Sequence, residues 1–230
     1  MLEDILHYER EMFFMLNGSD SPFFDRFMWL YTGKVVWLPL AVLILVILIY
    51  KKNWRESLLI LLAIALVITL CDQFASSICK PLFTRFRPTH HPDFMNQVDV
   101  VFGYRGGRYG FISSHAANAF GFAIFISLLF RYTIFSWAMF LWAGLTAYSR
   151  VYLGVHFISD IIPGMLAGLL FGFLVYKLYL FARARIVDGA GEKPPQLLYS
   201  KPQKLLIVFG ILFTVLNLLL FNVSLTAFLR

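Results

Sequence analysis

The residues best equipped for chemistry stand in three short clusters, "KPLFTRFRP" at 80–88, "FISSHAAN" at 111–118 and "SRVYLGVHFISD" at 149–160. His156 and Asp160 are four residues apart, one helical turn, a spacing at which side chains on a single face meet. A carboxylate on one imidazole nitrogen fixes the tautomer and turns the other nitrogen's lone pair outward, as in a catalytic dyad. Lys80, Arg87 and Arg150 place three fixed cations at the ends of hydrophobic runs, where charge is expensive and is functional by default. Any one of them reads equally well as a side chain snorkelling to lipid headgroups. Together, beside His115 and His156, they form a site for an anion of about two negative charges, such as a phosphate monoester. Ser113 is a preferred N-cap, and the helix start at Ser114 offers phosphate unpaired N–H groups and the positive end of the dipole. Capping alone accounts for Ser113 but not for its closeness to His115.

A metal site is the rival reading, since His90, His91, His115 and His156 could be recruited. The chain has no HExxH and no comparable carboxylate cluster, and three cations repel a divalent ion. No metal and no other cofactor is expected. His90 and His91, in "THHPDF", read as loop residues, and Asp72 shares a helix face with Lys80 as a partner for it or another cation.

The elements that must position these residues are membrane helices. The chain is 60% hydrophobic and 14% charged, with a mean hydropathy of +0.73, against about 25% charge in soluble domains. Runs near the ~20 residues that cross a bilayer fall at 33–50, 57–79, 115–131, 133–149, 157–181 and 204–223. The expected fold is an all-α polytopic bundle of six transmembrane helices. Residues 20–181 form a five-helix core, 182–203 a Gly-, Pro- and charge-rich linker, and 204–223 an appended helix. The stretch "EDILHYEREMFFML" reads as a helix lying along the interface, with neither the basic start nor the cleavage site of a signal peptide. Gly164, Gly168 and Gly172 on the fifth run, and Ala117 and Gly121 on the third, suit close helix packing in lipid. Cys71 and Cys79 are about 12 Å apart along one helix and cannot bridge.

Helix parity puts all three clusters at one membrane face. The net charge of +7 is spread over loops rather than gathered for nucleic acid. Lys51, Lys52, Arg55, Arg131, Arg183, Arg185, Lys193, Lys201 and Lys204 mark the opposite side, which the positive-inside tendency places in the cytoplasm. Both termini and the clusters then lie outside.

Lys80 with Arg87 and Pro88, Ser113 with His115, and Ser149, Arg150, His156 and Asp160 resemble the three-part signature of the type 2 phosphatidic acid phosphatase superfamily, lipid phosphatases related in fold to vanadium haloperoxidases. The resemblance covers roughly residues 20–180. Its first and third parts are complete; in the second, Ile112 and Ser114 replace a proline and a glycine. It implies that His156, oriented by Asp160, attacks phosphorus to form a phosphohistidine and that His115 is the general acid. Lys80, Arg87, Arg150, Ser113 and the N–H groups near Ser114 would hold the phosphoryl oxygens. The implied activity is metal-independent hydrolysis of a lipid phosphate or diphosphate at the outer face of a bacterial-type inner membrane. Undecaprenyl diphosphate, phosphatidylglycerophosphate, phosphatidic acid and the phosphate of lipid A are candidate substrates. The expected partners are that lipid and the bilayer, with no nucleic acid and no obligate protein partner. The long connection 88–112 covers the site, and its "GYRGGRYG" segment is expected at the substrate headgroup. A transporter of phosphate or a lipid anion would also want cations at a helix N-terminus, but the polar residues form no path through the bilayer.

Overall fold

The computed structural model describes residues 2–187 and 198–229, and every named element among them is a helix. Residues 188–197, which include Gly189 and Lys193 of the expected linker, lie outside the described residues. In chain order the helices are α1 (Leu2–Leu16), α2 (Pro22–Thr32), α3 (Leu38–Ile49), α4 (Trp54–Gln73), α5 (Lys80–Phe83), α6 (Ser114–Phe130), α7 (Thr133–Tyr152), α8 (Ile158–Ile186), α9 (Lys201–Leu220) and α10 (Asn222–Leu229).

Three helical stretches are long and apolar enough to cross a membrane by themselves: Trp54–Phe83, Ile158–Ile186 and Lys201–Leu220. A fourth crossing is available if Pro22–Thr32 and Val35–Ile49, which bend by 66°, count as one broken span. The run expected at 33–50 is thus the second half of a kinked pair, broken where Gly33 leaves the helical region with ψ 142°. The chain is a multi-pass membrane protein. Helix α6, at 17 residues, covers about 25 Å.

The stretch from Trp54 starts on the Asn53 side chain, which accepts a hydrogen bond from the Arg55 amide. It continues through a π-helical segment, Phe74–Cys79, into α5. Thr84 then turns left-handed, at φ 44°, and Pro88 disfavours further helix before it. Arg87 therefore sits beyond the helix, on an extended segment whose Phe86 pairs with Tyr109.

Helix α8 shows how the bundle closes. Gly164, Gly168 and Gly172 are buried on one face, while Ile162, Leu166, Leu170 and Leu174 are exposed on another, the inside-out pattern of a helix between protein and lipid. A Cβ at Gly168 would lie 2.2 Å from the Ala117 carbonyl oxygen, and one at Gly172 2.4 Å from that of Gly121. Only glycine lets α6 and α8 approach so closely, and the Ser113 amide donates to the Asp160 carbonyl oxygen at 3.0 Å. That contact joins the starts of the two helices carrying His115 and Asp160. At the other end of the bundle Arg183 bonds buried Glu56 at 2.7 Å.

Candidate active site

The C-terminal end of α4–α5, the start of α6, the end of α7 and the start of α8 converge at one end of the bundle. His156 lies in the turn between α7 and α8. The Arg150 carbonyl accepts from the Val155 and His156 amides, and Gly154 turns there with φ +72°, a conformation natural to glycine. Asp160 Oδ2 is 3.3 Å from His156 Nδ1 and also accepts from the Phe157 amide at 3.0 Å. On the far side of the ring, Arg87 Nη1 is 3.1 Å from Nε2. A guanidinium has only donors, so Nε2 offers it the lone pair, and the ring proton sits on Nδ1, facing the carboxylate. His156 and Asp160 are both fully buried. Burial first, then the charges of Arg87, Arg150, Lys80 and Arg85, hold the His156 pKa well below the ordinary histidine range. Unliganded, the ring is neutral.

Arg87 is fixed by the Tyr109 and Val155 carbonyls. Its pKa is pushed down to about 10, by burial first and Arg150 second, the mark of cations crowded without enough negative charge. Arg150 is 2% exposed; it donates to Thr32 Oγ1 at 2.9 Å and to the Tyr104 hydroxyl at 2.8 Å, and its Nε has no partner. Lys80 Nζ is 3.0 Å from Ser76 Oγ and 3.5 Å from Ser114 Oγ. Ser76 in turn faces Asp72 at 3.5 Å, so Asp72 reaches Lys80 through a hydroxyl. Ser113 caps α6 by accepting from the Ala116 amide, leaving only its own hydroxyl hydrogen to donate. His115 lines a cavity of about 470 Å³ together with Arg150, Tyr104, Lys34 and the apolar Trp29 and Val36.

The 88–112 connection lies across this end. Gly110 packs on both members of the pair: a Cβ there would be 3.0 Å from Asp160 Oδ2 and 3.5 Å from His156 Nδ1. One at Gly106 would be 3.2 Å from Arg87 Nη1. His91 stacks on Phe94 at 4.0 Å and His90 meets Thr89 Oγ1, both as loop residues. Among the described residues, no three His, Cys, Asp or Glu side chains gather as metal ligands would.

Three contributors escaped the sequence reading. Arg85 Nη1 bonds Asp160 Oδ1 at 2.8 Å and Ser159 Oγ at 2.5 Å, and its Nη2 bonds Glu9 Oε2 at 2.6 Å. Glu9 also accepts from the Ser159 hydroxyl, so α1 is tied to the carboxylate behind His156. Lys34 is the third, lining the cavity beside Tyr104, which belongs to the segment expected at the headgroup. Arg85 stands two residues before Arg87, the period at which an extended chain repeats a face, and that alternation was the available signal. Glu9, 150 residues from Ser159 in sequence, gave none.

A helical membrane bundle with a histidine–carboxylate pair and convergent cations at one end is the architecture of membrane-embedded phosphatases. Residues 57–184 match the PAP2 superfamily, and the chain belongs to that family. It is 45% identical over 199 residues to a lipid A 4'-phosphatase of Porphyromonas gingivalis, covering 86% of this chain and 84% of that one. It is 38% identical over 206 residues to a lipid A 4'-phosphatase of Bacteroides thetaiotaomicron, covering 86% and 92%. The fold is similar to the crystal structure of a PAP2-type phosphatidylglycerolphosphate phosphatase from Bacillus subtilis, with a TM-score of 0.56, 24% identity and coverage of 76% and 86%. The protein is a lipid phosphatase, and the transport reading gives way to an enzyme.

Proposed function

We propose that the protein removes the 4'-phosphate of lipid A through a phosphohistidine on His156, without a metal ion. The observation that carries the mechanism is His156 itself, neutral, with Nδ1 held by Asp160 and the Nε2 lone pair aimed at Arg87. The substrate choice rests on the two lipid A 4'-phosphatases that resemble this chain over most of its length. The cavity beside His115 and Arg150, lined by both cations and apolar side chains, suits a phosphate attached to an amphiphile.

The phosphate dianion enters between Arg87, Arg150 and Lys80, and the Nε of Arg150 gains the acceptor it lacks. Arg87 turns from His156 to a phosphoryl oxygen, freeing Nε2. The Nε2 lone pair forms the N–P bond as the bond to the sugar oxygen breaks, and His115 gives that oxygen its proton. The cations and the α6 N-terminus hold the three phosphoryl oxygens while charge spreads over them. Water, giving its proton to His115, then attacks phosphorus, and Nε2 departs with its electron pair.

Six crossings complete the reading, with α6 and α7 joining the four available above. Residues 20–181 form the catalytic core, 182–203 a linker and 204–223 an added helix; the family match, which stops at 184, supports this division. The protein sits in a bacterial inner membrane with the site facing the periplasm, as the basic loops at the other end favour. A phosphate-release panel tests the function: purified protein in detergent, in excess EDTA, is offered lipid A, undecaprenyl diphosphate, phosphatidylglycerophosphate and phosphatidic acid. Fastest release from the lipid A 4'-position is expected. Activity that vanishes in EDTA and returns with a divalent ion would reject the mechanism, and faster release from another lipid would reject the substrate.

A further inference from the structure

The end of the bundle away from His156 holds a second cluster of cations that the reaction does not use. Lys52 precedes α4, Arg131 caps the end of α6, and Lys201 and Lys204 open α9. The distance from Trp54 to Lys80 along one helical stretch is about 40 Å, so this cluster and the active site lie at opposite membrane faces. The four cations line a cavity of about 470 Å³, with Tyr132 and Tyr199 among its walls and no carboxylate among the described residues that line it. Glu56, whose charge reaches Tyr199, is already bonded to Arg183 and Tyr179.

Two of the cations are partly satisfied. Lys52 donates to the Leu198 carbonyl and lies 4.7 Å above the Tyr199 ring, and Arg131 Nη2 donates to the Tyr176 hydroxyl at 3.0 Å. Lys204 is different. Its residue is 4% exposed, yet it lines the cavity, and among the described residues its ammonium has no hydrogen-bond acceptor, only the Tyr132 ring at 5.9 Å. An ammonium that reaches the cavity with no acceptor of its own is available to an oxyanion there, as a charge-assisted hydrogen bond. Basic pockets between membrane helices at the cytoplasmic side suit phosphate headgroups, and rings at the span ends suit the interface.

We propose that this cavity is a second, non-hydrolytic binding site for a phosphate group, supplied by an anionic phospholipid of the leaflet opposite the active site or by free phosphate. No histidine lines it, so it binds and does not react.

The experiment titrates phosphatidylglycerol or, separately, inorganic phosphate into delipidated protein in detergent and counts bound ligand by native mass spectrometry. An Arg87→Ala background weakens the other phosphate site, so the result stands apart from the fate of the proposed reaction. Lys204→Gln is expected to weaken binding about tenfold or more, with Lys204→Arg restoring it. Preference for phosphatidylglycerol identifies the lipid as the source; equal response to inorganic phosphate identifies the free anion. In an otherwise unaltered protein, Lys204→Gln should keep normal phosphate release, which shows that it folds. If it does not fold, Lys52→Gln is read in the same way. Unchanged affinity for both ligands in a folded variant overturns the proposal.

Discussion

In the proposed reaction, His156 and His115 divide the work by the bond each one handles. A general acid matters in proportion to how badly the leaving oxygen needs a proton, much for a sugar alkoxide and little for an aryl oxide. His115→Ala is therefore expected to lose about 10² to 10⁴ in phosphoenzyme formation from an alkyl phosphate and to recover much of it on p-nitrophenyl phosphate. His156→Ala should be inactive on both, because a better leaving group cannot replace a nucleophile. Equal losses for His115→Ala on the two substrates would reassign it to binding. The burial of His156 also has a pH signature. Unfolded, this histidine takes up a proton as pH falls through 6.5, whereas in the folded protein its pKa is well below that. The unfolded state then binds more protons, so stability falls as pH drops below about 6.5, by at most about 1.4 kcal/mol per pH unit from this group. His90 and His91, also shifted down by burial, act in the same direction. The comparison that isolates His156 is thermal melting of His156→Asn, whose decline between pH 7.5 and 5.5 should be shallower than that of the unaltered protein. An identical decline would mean that His156 carries its proton when folded.

At the scale of elements, the site depends on how closely α6 and α8 approach, since that contact sets the start of one helix against the start of the other. Gly168→Val puts a Cβ 2.2 Å from the Ala117 carbonyl and should cost about 1–3 kcal/mol or more, read as a lower melting temperature with reduced phosphate release. Leu166→Val, on the exposed face, should change little; equal effects would remove the packing argument. The four-residue spacing of small residues showed this contact in the sequence, because the period of a helix and the need for close approach both leave marks in residue type. The kink between α2 and α3 left a weaker mark, with Gly33 at the first position of the apolar run read at 33–50. The α1 clamp on Ser159 left none, since it depends on a contact between residues 150 apart in the chain. In the site, the dyad and three cations were legible because a charge beside hydrocarbon stands out. Arg85 was not, because it lies among loop residues where charge is ordinary.

For the whole molecule, the proposed reaction lies at one face and the basic rim at the other, so orientation in the membrane decides which leaflet supplies the substrate. A single cysteine at Gly107, in the exposed part of the covering loop, should react with an impermeant thiol reagent in intact cells, whereas one at Lys51, between α3 and α4, should react only after the cells are opened. Cys71 and Cys79 are buried and give little background. The reverse pattern would invert the proposed topology and put the reaction in the cytoplasm.

The central claim, that phosphate passes through His156, is tested most directly by trapping the intermediate. Lipid A carrying a radiolabelled 4'-phosphate is mixed with excess protein, quenched in base within milliseconds to seconds, and the labelled peptide is mapped by mass spectrometry. The expected result is a label stable to base and labile to acid on the peptide containing His156, absent from His156→Ala. A label on any other residue, or turnover by His156→Ala near the rate of the unaltered protein, would contradict the mechanism.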